Sequence, residues 1–195
     1  MSDMPLSAAL TGLQKLPRRF YTRDTLQVAE DLLGTFLVHR IDGVSRVAKI
    51  VEVEAYVGAH DLAAHSSKGI TKRTQVMFGP PGFAYVYLIY GMHHCMNVVT
   101  EPQGHGCAVL IRALEPVQNV VGNTRGPGLL CSAMGIDRRL NAHDLESDDF
   151  FIAAPMIDEP VAIVRRPRIG VAYAGDWAKQ PLRLYLEGSD FISRK

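Results

Sequence analysis

Cysteine is scarce in this chain: Cys95, Cys107 and Cys131 are the whole complement. An odd, sparse count argues against a disulfide framework, and their places in or beside apolar runs suit small buried hydrophobes. Long apolar runs are missing as well. No stretch reaches the ~18 residues that a membrane helix requires. Residues 1–15 carry no basic segment leading into an apolar one, so a secretory signal is not expected and the expected compartment is the cytosol or nucleoplasm. Charge of one sign is also lacking, because 21 Lys and Arg face 20 Asp and Glu for a net +1. The strongly basic balance that usually marks nucleic-acid binding is therefore absent. Neither internal repeats nor low-complexity segments are found, which sets aside solenoids and disordered tracts.

What the sequence does hold is material for one core. At 195 residues and 47% hydrophobic content, a single domain is expected over 18–195, behind a poorly patterned and loose segment 1–17. The charges are unevenly spread. Residues 141–160 contain Asp144, Glu146, Asp148, Asp149, Asp158 and Glu159 with no Lys or Arg, leaving the remainder net basic. Basic groups fall at Arg18 and Arg19, at Lys68, Lys72 and Arg73, and at Arg165, Arg166 and Arg168. Charge alone leaves two readings open, a solvated mixed surface and a DNA-facing patch.

Short strands joined by hairpins dominate the pattern. Asp24 with Gln27, followed by Leu26, Ala29, Leu32 and Leu33, reads as a capped amphipathic helix stopped by Gly34. Residues 35–40 and 44–56 read as strands joined at Asp42-Gly43. A polar loop, 58–74, leads to a turn cluster at 77–82. Residues 85–90 and 95–100 form a second hairpin with Tyr90 near its tip. Residues 107–114 make another strand. Gly126-Pro127-Gly128 precedes a short helix, 129–134, closed by Gly135. Strands at 150–153, 168–174 and 182–186 complete the chain. This order favours an α+β fold: one mixed domain with a curved antiparallel sheet, few helices and a protruding hairpin.

Two places invite chemistry. Val51-Glu52-Val53-Glu54-Ala55-Tyr56 alternates strictly, putting Glu52, Glu54 and Tyr56 on one side. That face is either an ordinary wet one or a concave site where a carboxylate beside an aromatic ring deprotonates water or steadies a developing cation. Aromatics are only 8% of the chain, yet Tyr85, Tyr87 and Tyr90 crowd into one hairpin, more than packing asks for. A tyrosine at such a tip can wedge between bases, and others below can stack on an extruded base. His93, His94, Cys95, His105 and Cys107 have the residue types of zinc ligands but lack paired ligand spacing, and the deaminase signature is missing, so no metal is expected. Phosphate-binding Lys loops and serine nucleophile elbows are also missing. Gly126-Pro127-Gly128 fits either a phosphate-binding helix start or a plain loop.

Read in order, these residues resemble the alkyladenine (3-methyladenine) DNA glycosylases. The resemblance rests on Val51-Glu-Val-Glu-Ala-Tyr-Val-Gly58, His65-Ser66, Tyr85-Val-Tyr-Leu-Ile-Tyr-Gly-Met92 with Asn97, and Leu110-Ile-Arg-Ala-Leu-Glu-Pro116. Gly126-Pro-Gly128 with Leu130-Cys131, Arg168-Ile-Gly-Val171 and Pro181-Leu-Arg-Leu-Tyr185 extend it over roughly 20–193. It implies a monofunctional, cofactor-free, metal-free monomer acting on double-stranded DNA with alkylated or deaminated purines. Glu54 would be the general base for water, and Arg112 would hold that water. Tyr56, His65 and Tyr87 would wall the base pocket. Tyr90 would intercalate where the nucleotide leaves the helix, and Asn97 would disfavour the amino group of guanine. Extruding a base costs a few kcal/mol of unstacking, less at damaged pairs. No lysine accompanies the motif, so no Schiff-base step is expected.

Two departures from the family pattern stand out. The stretch 117–125 is short, and Leu129 stands where a lysine commonly follows Gly-Pro-Gly; both bear on phosphate contacts. Two other classes compete. A non-enzymatic nucleic-acid-binding module would need neither Glu54 nor Arg112, and a zinc-dependent hydrolase would need a metal.

Overall fold

The computed structural model describes residues 12–156 and 160–195. Nine strands among them form one antiparallel sheet: β1 (Leu13–Lys15), β2 (Phe36–Ile41), β3 (Val44–Tyr56), β4 (Ala84–Ile89), β5 (His93–Thr100), β6 (Cys107–Gln118), β7 (Phe150–Pro155), β8 (Ile163–Arg166) and β9 (Arg183–Leu186). The order is β1-β7-β2-β3-β6-β5-β4, with β9 on β3 and β8 on β9. Helices are few: α1 (Arg18–Tyr21), α2 (Thr25–Leu32) and α3 (Pro127–Met134), with short 3-10 turns between strands. The α+β architecture expected from the strand spacing is the one observed.

Local chemistry explains the main joints. Asp42 and Gly43 both take positive φ, 50° and 79°, as the tight turn between β2 and β3 requires. The Asp24 carboxylate caps α2 by accepting from the N–H groups of Leu26 and Gln27. Gly135 closes α3 in the left-handed conformation and gives its N–H to a carbonyl of that helix's last turn. Val28, Ala29 and Leu32 of α2 and Leu130, Cys131 and Met134 of α3 pack on Ile50, Val53, Ile111 and Leu114 of the sheet. A large aliphatic side chain so buried contributes about 1.5–3 kcal/mol. All three cysteines are free and buried.

The long strand β3 carries the site because it changes neighbours halfway. Its first half pairs with β2; at Glu52, Val53 and Glu54 it pairs with β9 on that side. On its other side it pairs with β6, and register shifts flank Glu52, so that Val51 and Arg112 have no direct partner. Such irregularities bend a strand and re-aim side chains.

Two expectations need correction. Residues 168–174 are not a strand: Gly170 takes φ of 78°, and a 3-10 segment (Ala172–Lys179) follows. The alternation of Ile169 and Val171 mimics a strand, while the true one is β8, where Arg165 and Arg166 mask the pattern. The wet-face reading of β3 also fails, since Glu52 and Glu54 are both fully buried. Leu13–Lys15, inside the poorly patterned segment, pairs with β7; residues 1–11, and Asp158 and Glu159, lie outside the described residues. Among the described residues no helix is long and apolar enough to cross a membrane.

Candidate active site

The turn between β4 and β5 projects Tyr90, which is 86% exposed and takes φ of 52°, beside Gly91 at 71°. Below it lies a cavity of about 270 Å³, near the lower end of small-ligand pockets (~300–1,000 Å³). Glu54, Tyr56, His65, Tyr87, Tyr90, Asn97 and Arg112, the seven residues singled out from the sequence, all line it. They come from β3, the 3-10 turn His65–Lys68, β4, the hairpin turn, β5 and β6.

Glu54 is held at both oxygens. Its Oε1 accepts the Ile169 N–H at 2.7 Å and faces Arg112 Nη1 at 3.3 Å. Its Oε2 accepts the Tyr56 hydroxyl proton at 2.9 Å. Oε1 thus meets two donors and Oε2 one, which leaves Oε2 the larger spare acceptor capacity. Burial and the adjoining Glu54 carboxylate push the Tyr56 hydroxyl well above the ordinary range, so it stays protonated and donating. Burial alone would lower the Arg112 pKa; Glu54 and Glu52 outweigh it, and the guanidinium is held more firmly charged.

The opposite wall is aromatic. His65 and Tyr87 stand edge to face with centroids 4.7 Å apart, and Tyr85 and Tyr87 lie 5.2 Å apart. His65 Nδ1 bonds the Tyr85 hydroxyl at 3.0 Å. Burial, with the nearby Arg73 charge adding to it, lowers the His65 pKa to about 4, so the ring is neutral near pH 7. The Arg73 guanidinium lies 4.8 Å from the Tyr87 ring centroid. Burial raises the Tyr87 hydroxyl pKa, with Cys95 beside it. Asn97 is buried and its Nδ2 donates to the Tyr85 carbonyl at 3.1 Å, which fixes the amide at the cavity edge.

Sequence reasoning missed several contributors. The Ile169 N–H is a backbone donor with no side-chain signature, in a stretch whose alternation mimics a strand. Arg168, grouped there with surface cations, is buried and bonds both oxygens of buried Asp61 at 2.5 and 2.8 Å. That pair holds the backbone ahead of Ile169. Arg18 and Arg165 pair at the surface with Asp144 and Glu30. Lys68, Lys72 and Arg73 do sit on the loop bordering the cavity. Pro127, at the start of α3, also lines it, and Leu129 is 42% exposed. Among the described residues no three His, Cys, Asp or Glu side chains group as a metal site requires.

A buried, donor-bound carboxylate, a fixed cation and an aromatic-walled pocket under an exposed tyrosine suit binding of a planar group and hydrolysis of the bond that carries it. Comparison with known proteins points the same way. The sequence matches the profile of the methylpurine-DNA glycosylase family over residues 19–190. A protein of Legionella pneumophila (strain Corby), provisionally named a 3-methyladenine DNA glycosylase, is 59% identical over 182 residues, covering 93% of this chain and 100% of its own. Proteins with the same name from Anaeromyxobacter sp. (strain Fw109-5) and Myxococcus xanthus (strain DK1622) are 55% and 52% identical, each covering 92% of this chain and 93% of its own.

Proposed function

The chain belongs to the methylpurine-DNA glycosylase family, hydrolases of N-glycosyl bonds in DNA repair, and from that premise we propose that it excises alkylated and deaminated purines with a water activated by Glu54. The substrate classes are 3-methyladenine, 7-methylguanine and hypoxanthine in double-stranded DNA. The observation that carries the reading is the Glu54 carboxylate, buried at the cavity wall with Oε1 doubly engaged and Oε2 retaining acceptor capacity.

In this mechanism Tyr90 enters the duplex where the lesion leaves it, and the base passes between Tyr56 and the His65–Tyr87 wall. Loss of the base develops positive charge on the sugar, which the Glu54 carboxylate stabilises. Water, held by Arg112 and Glu54, adds to the anomeric carbon as the bond to the base nitrogen breaks. The water proton passes to Glu54 Oε2, and the bonding pair leaves with the base. A cationic base such as 7-methylguanine departs neutral. A neutral one such as hypoxanthine needs a proton on a ring nitrogen first. The product is an abasic site with an intact strand. Asn97, tied to the Tyr85 carbonyl, crowds the amino group that guanine carries and hypoxanthine lacks. The protein works as a monomer on DNA, in the compartment that holds the chromosome.

The test is incubation with duplexes carrying a single hypoxanthine or 7-methylguanine, then alkali and a sizing gel. Cleavage at the lesion only after alkali supports the reading. An uncut strand for both lesions would overturn it, and cleavage without alkali would overturn the monofunctional part.

A further inference from the structure

Glu52 sits two residues before Glu54 on β3 and is just as buried, yet it lines no part of the cavity. It is tied more tightly than Glu54. Oε1 accepts from Arg112 Nε at 3.2 Å, Arg183 Nη1 at 3.0 Å and Ser193 Oγ at 2.9 Å. Oε2 accepts the Ser193 N–H at 2.5 Å. Arg112 Nη2 donates in turn to Ser193 Oγ at 3.3 Å. Arg183 is anchored behind by the carbonyls of Arg194 at 2.8 Å and Pro167 at 3.2 Å. Two carboxylates and two guanidiniums thus make a closed, neutral set, with Arg112 shared and residues 193–194 clasping its rear.

Sharing has a chemical consequence. An arginine free to turn its whole fork on Glu54 would hold a strongly stabilised, weakly basic carboxylate. Here the Nε edge of Arg112 is committed to Glu52, and only Nη1 reaches Glu54, at 3.3 Å. The register shift at Arg112 makes that double reach possible. Resting on the reading of Glu54 as the base, we propose that Glu52 is a positioning residue: with Arg183 and Ser193 it sets the share of the Arg112 charge felt by Glu54, and so the basicity available for water. The other groups facing Glu54 are Tyr56 on its own strand, the Ile169 N–H, and Cys95 across the cavity on β5, with Arg168 4.8 Å from the Tyr56 ring centroid behind them. Glu52 and Arg183 directly contact none of these.

A charge series separates this role from a merely structural pin. Single-turnover excision of 7-methylguanine is measured across pH, because a cationic leaving group leaves only the acid limb. Arg183→Met removes a positive charge and is expected to move that limb to higher pH. Glu52→Gln removes a negative charge, frees Arg112 for Glu54 and is expected to move it lower. The double variant restores neutrality and should return toward the parent. In a partly polarisable interior each shift is on the order of one pH unit. Opposite shifts that cancel in the double variant support the proposal. A limb fixed in all three, with rates following stability alone, overturns it. If Glu52→Gln does not fold, Arg183→Met decides by itself: an unmoved limb rejects the proposal. Glu54→Gln run alongside keeps the levels apart. If it still excises, the general-base reading fails; if it is inactive while the acid limb stays fixed in the series, only the role of Glu52 fails.

Discussion

Replacing Arg168 with Met should damage both stability and rate, and the structure sets the size of each. Arg168 and Asp61 have no exposed side-chain surface, and their two bonds are joined by one from Arg168 to the Ala55 carbonyl at 2.9 Å. Met fills much of the same volume but leaves Asp61 buried with only the N–H groups of Val57 and Ala63. Breaking a buried pair from one side costs about 3–5 kcal/mol, a large part of a total stability of roughly 5–15 kcal/mol. The next residue, Ile169, supplies a donor to Glu54 Oε1 at 2.7 Å. A loosened backbone there should therefore slow excision about tenfold beyond any loss of folded protein, since small misplacements at a reacting centre are expensive. Urea unfolding of Arg168→Met, Asp61→Asn and the double variant tests the first part. The double variant should recover at least half of the loss caused by Arg168→Met. Strictly additive losses, or a single-variant loss below about 1 kcal/mol, would refute the argument.

Three further outcomes are expected. Tyr90→Ala should leave stability unchanged, because the ring is 86% exposed, but weaken capture of the extruded state by about 1–3 kcal/mol. Fluorescence of a 2-aminopurine beside the lesion reports it, and an unchanged signal would count against the wedge role. Asn97→Ser should raise excision of mismatched guanine relative to hypoxanthine; a constant ratio dismisses the exclusion role. His65 is held below its ordinary pKa of 6.5, at about 4, so its stabilising contribution is complete above 6.5 and is lost as pH falls toward 4. Allowing for the ring's partial exposure, His65→Phe should remove on the order of 1–2 kcal/mol of the acid-induced loss seen in urea titrations at pH 7 and pH 4. Equal losses in variant and parent would contradict it.

Much of the fold was legible because local signals agreed. Asp42-Gly43, the Asp24 cap and Gly135 each name a backbone geometry that few other residues satisfy. The site was legible through resemblance and through the clustering of Tyr85, Tyr87 and Tyr90, which the fold sets beside Glu54. What escaped was tertiary. Whether Arg168 faces solvent or a buried Asp61, more than 100 positions away in the chain, is not written in its neighbours. Arg112 is aimed by a register shift that alternation cannot reveal. The backbone of Ile169 has no side-chain signature at all.

In the proposed mechanism everything turns on the Glu54 carboxylate activating the attacking water. Glu54→Gln keeps the side chain's shape: its carbonyl oxygen in the Oε1 place still accepts the Ile169 N–H, and its NH2 in the Oε2 place donates to the Tyr56 hydroxyl oxygen, which turns from donor to acceptor. The direct measurement is its single-turnover excision of hypoxanthine from a duplex, with binding to the same duplex measured alongside. The rate is expected to fall by about 10²–10⁴ or more with binding nearly intact. Excision close to the parent rate would contradict it.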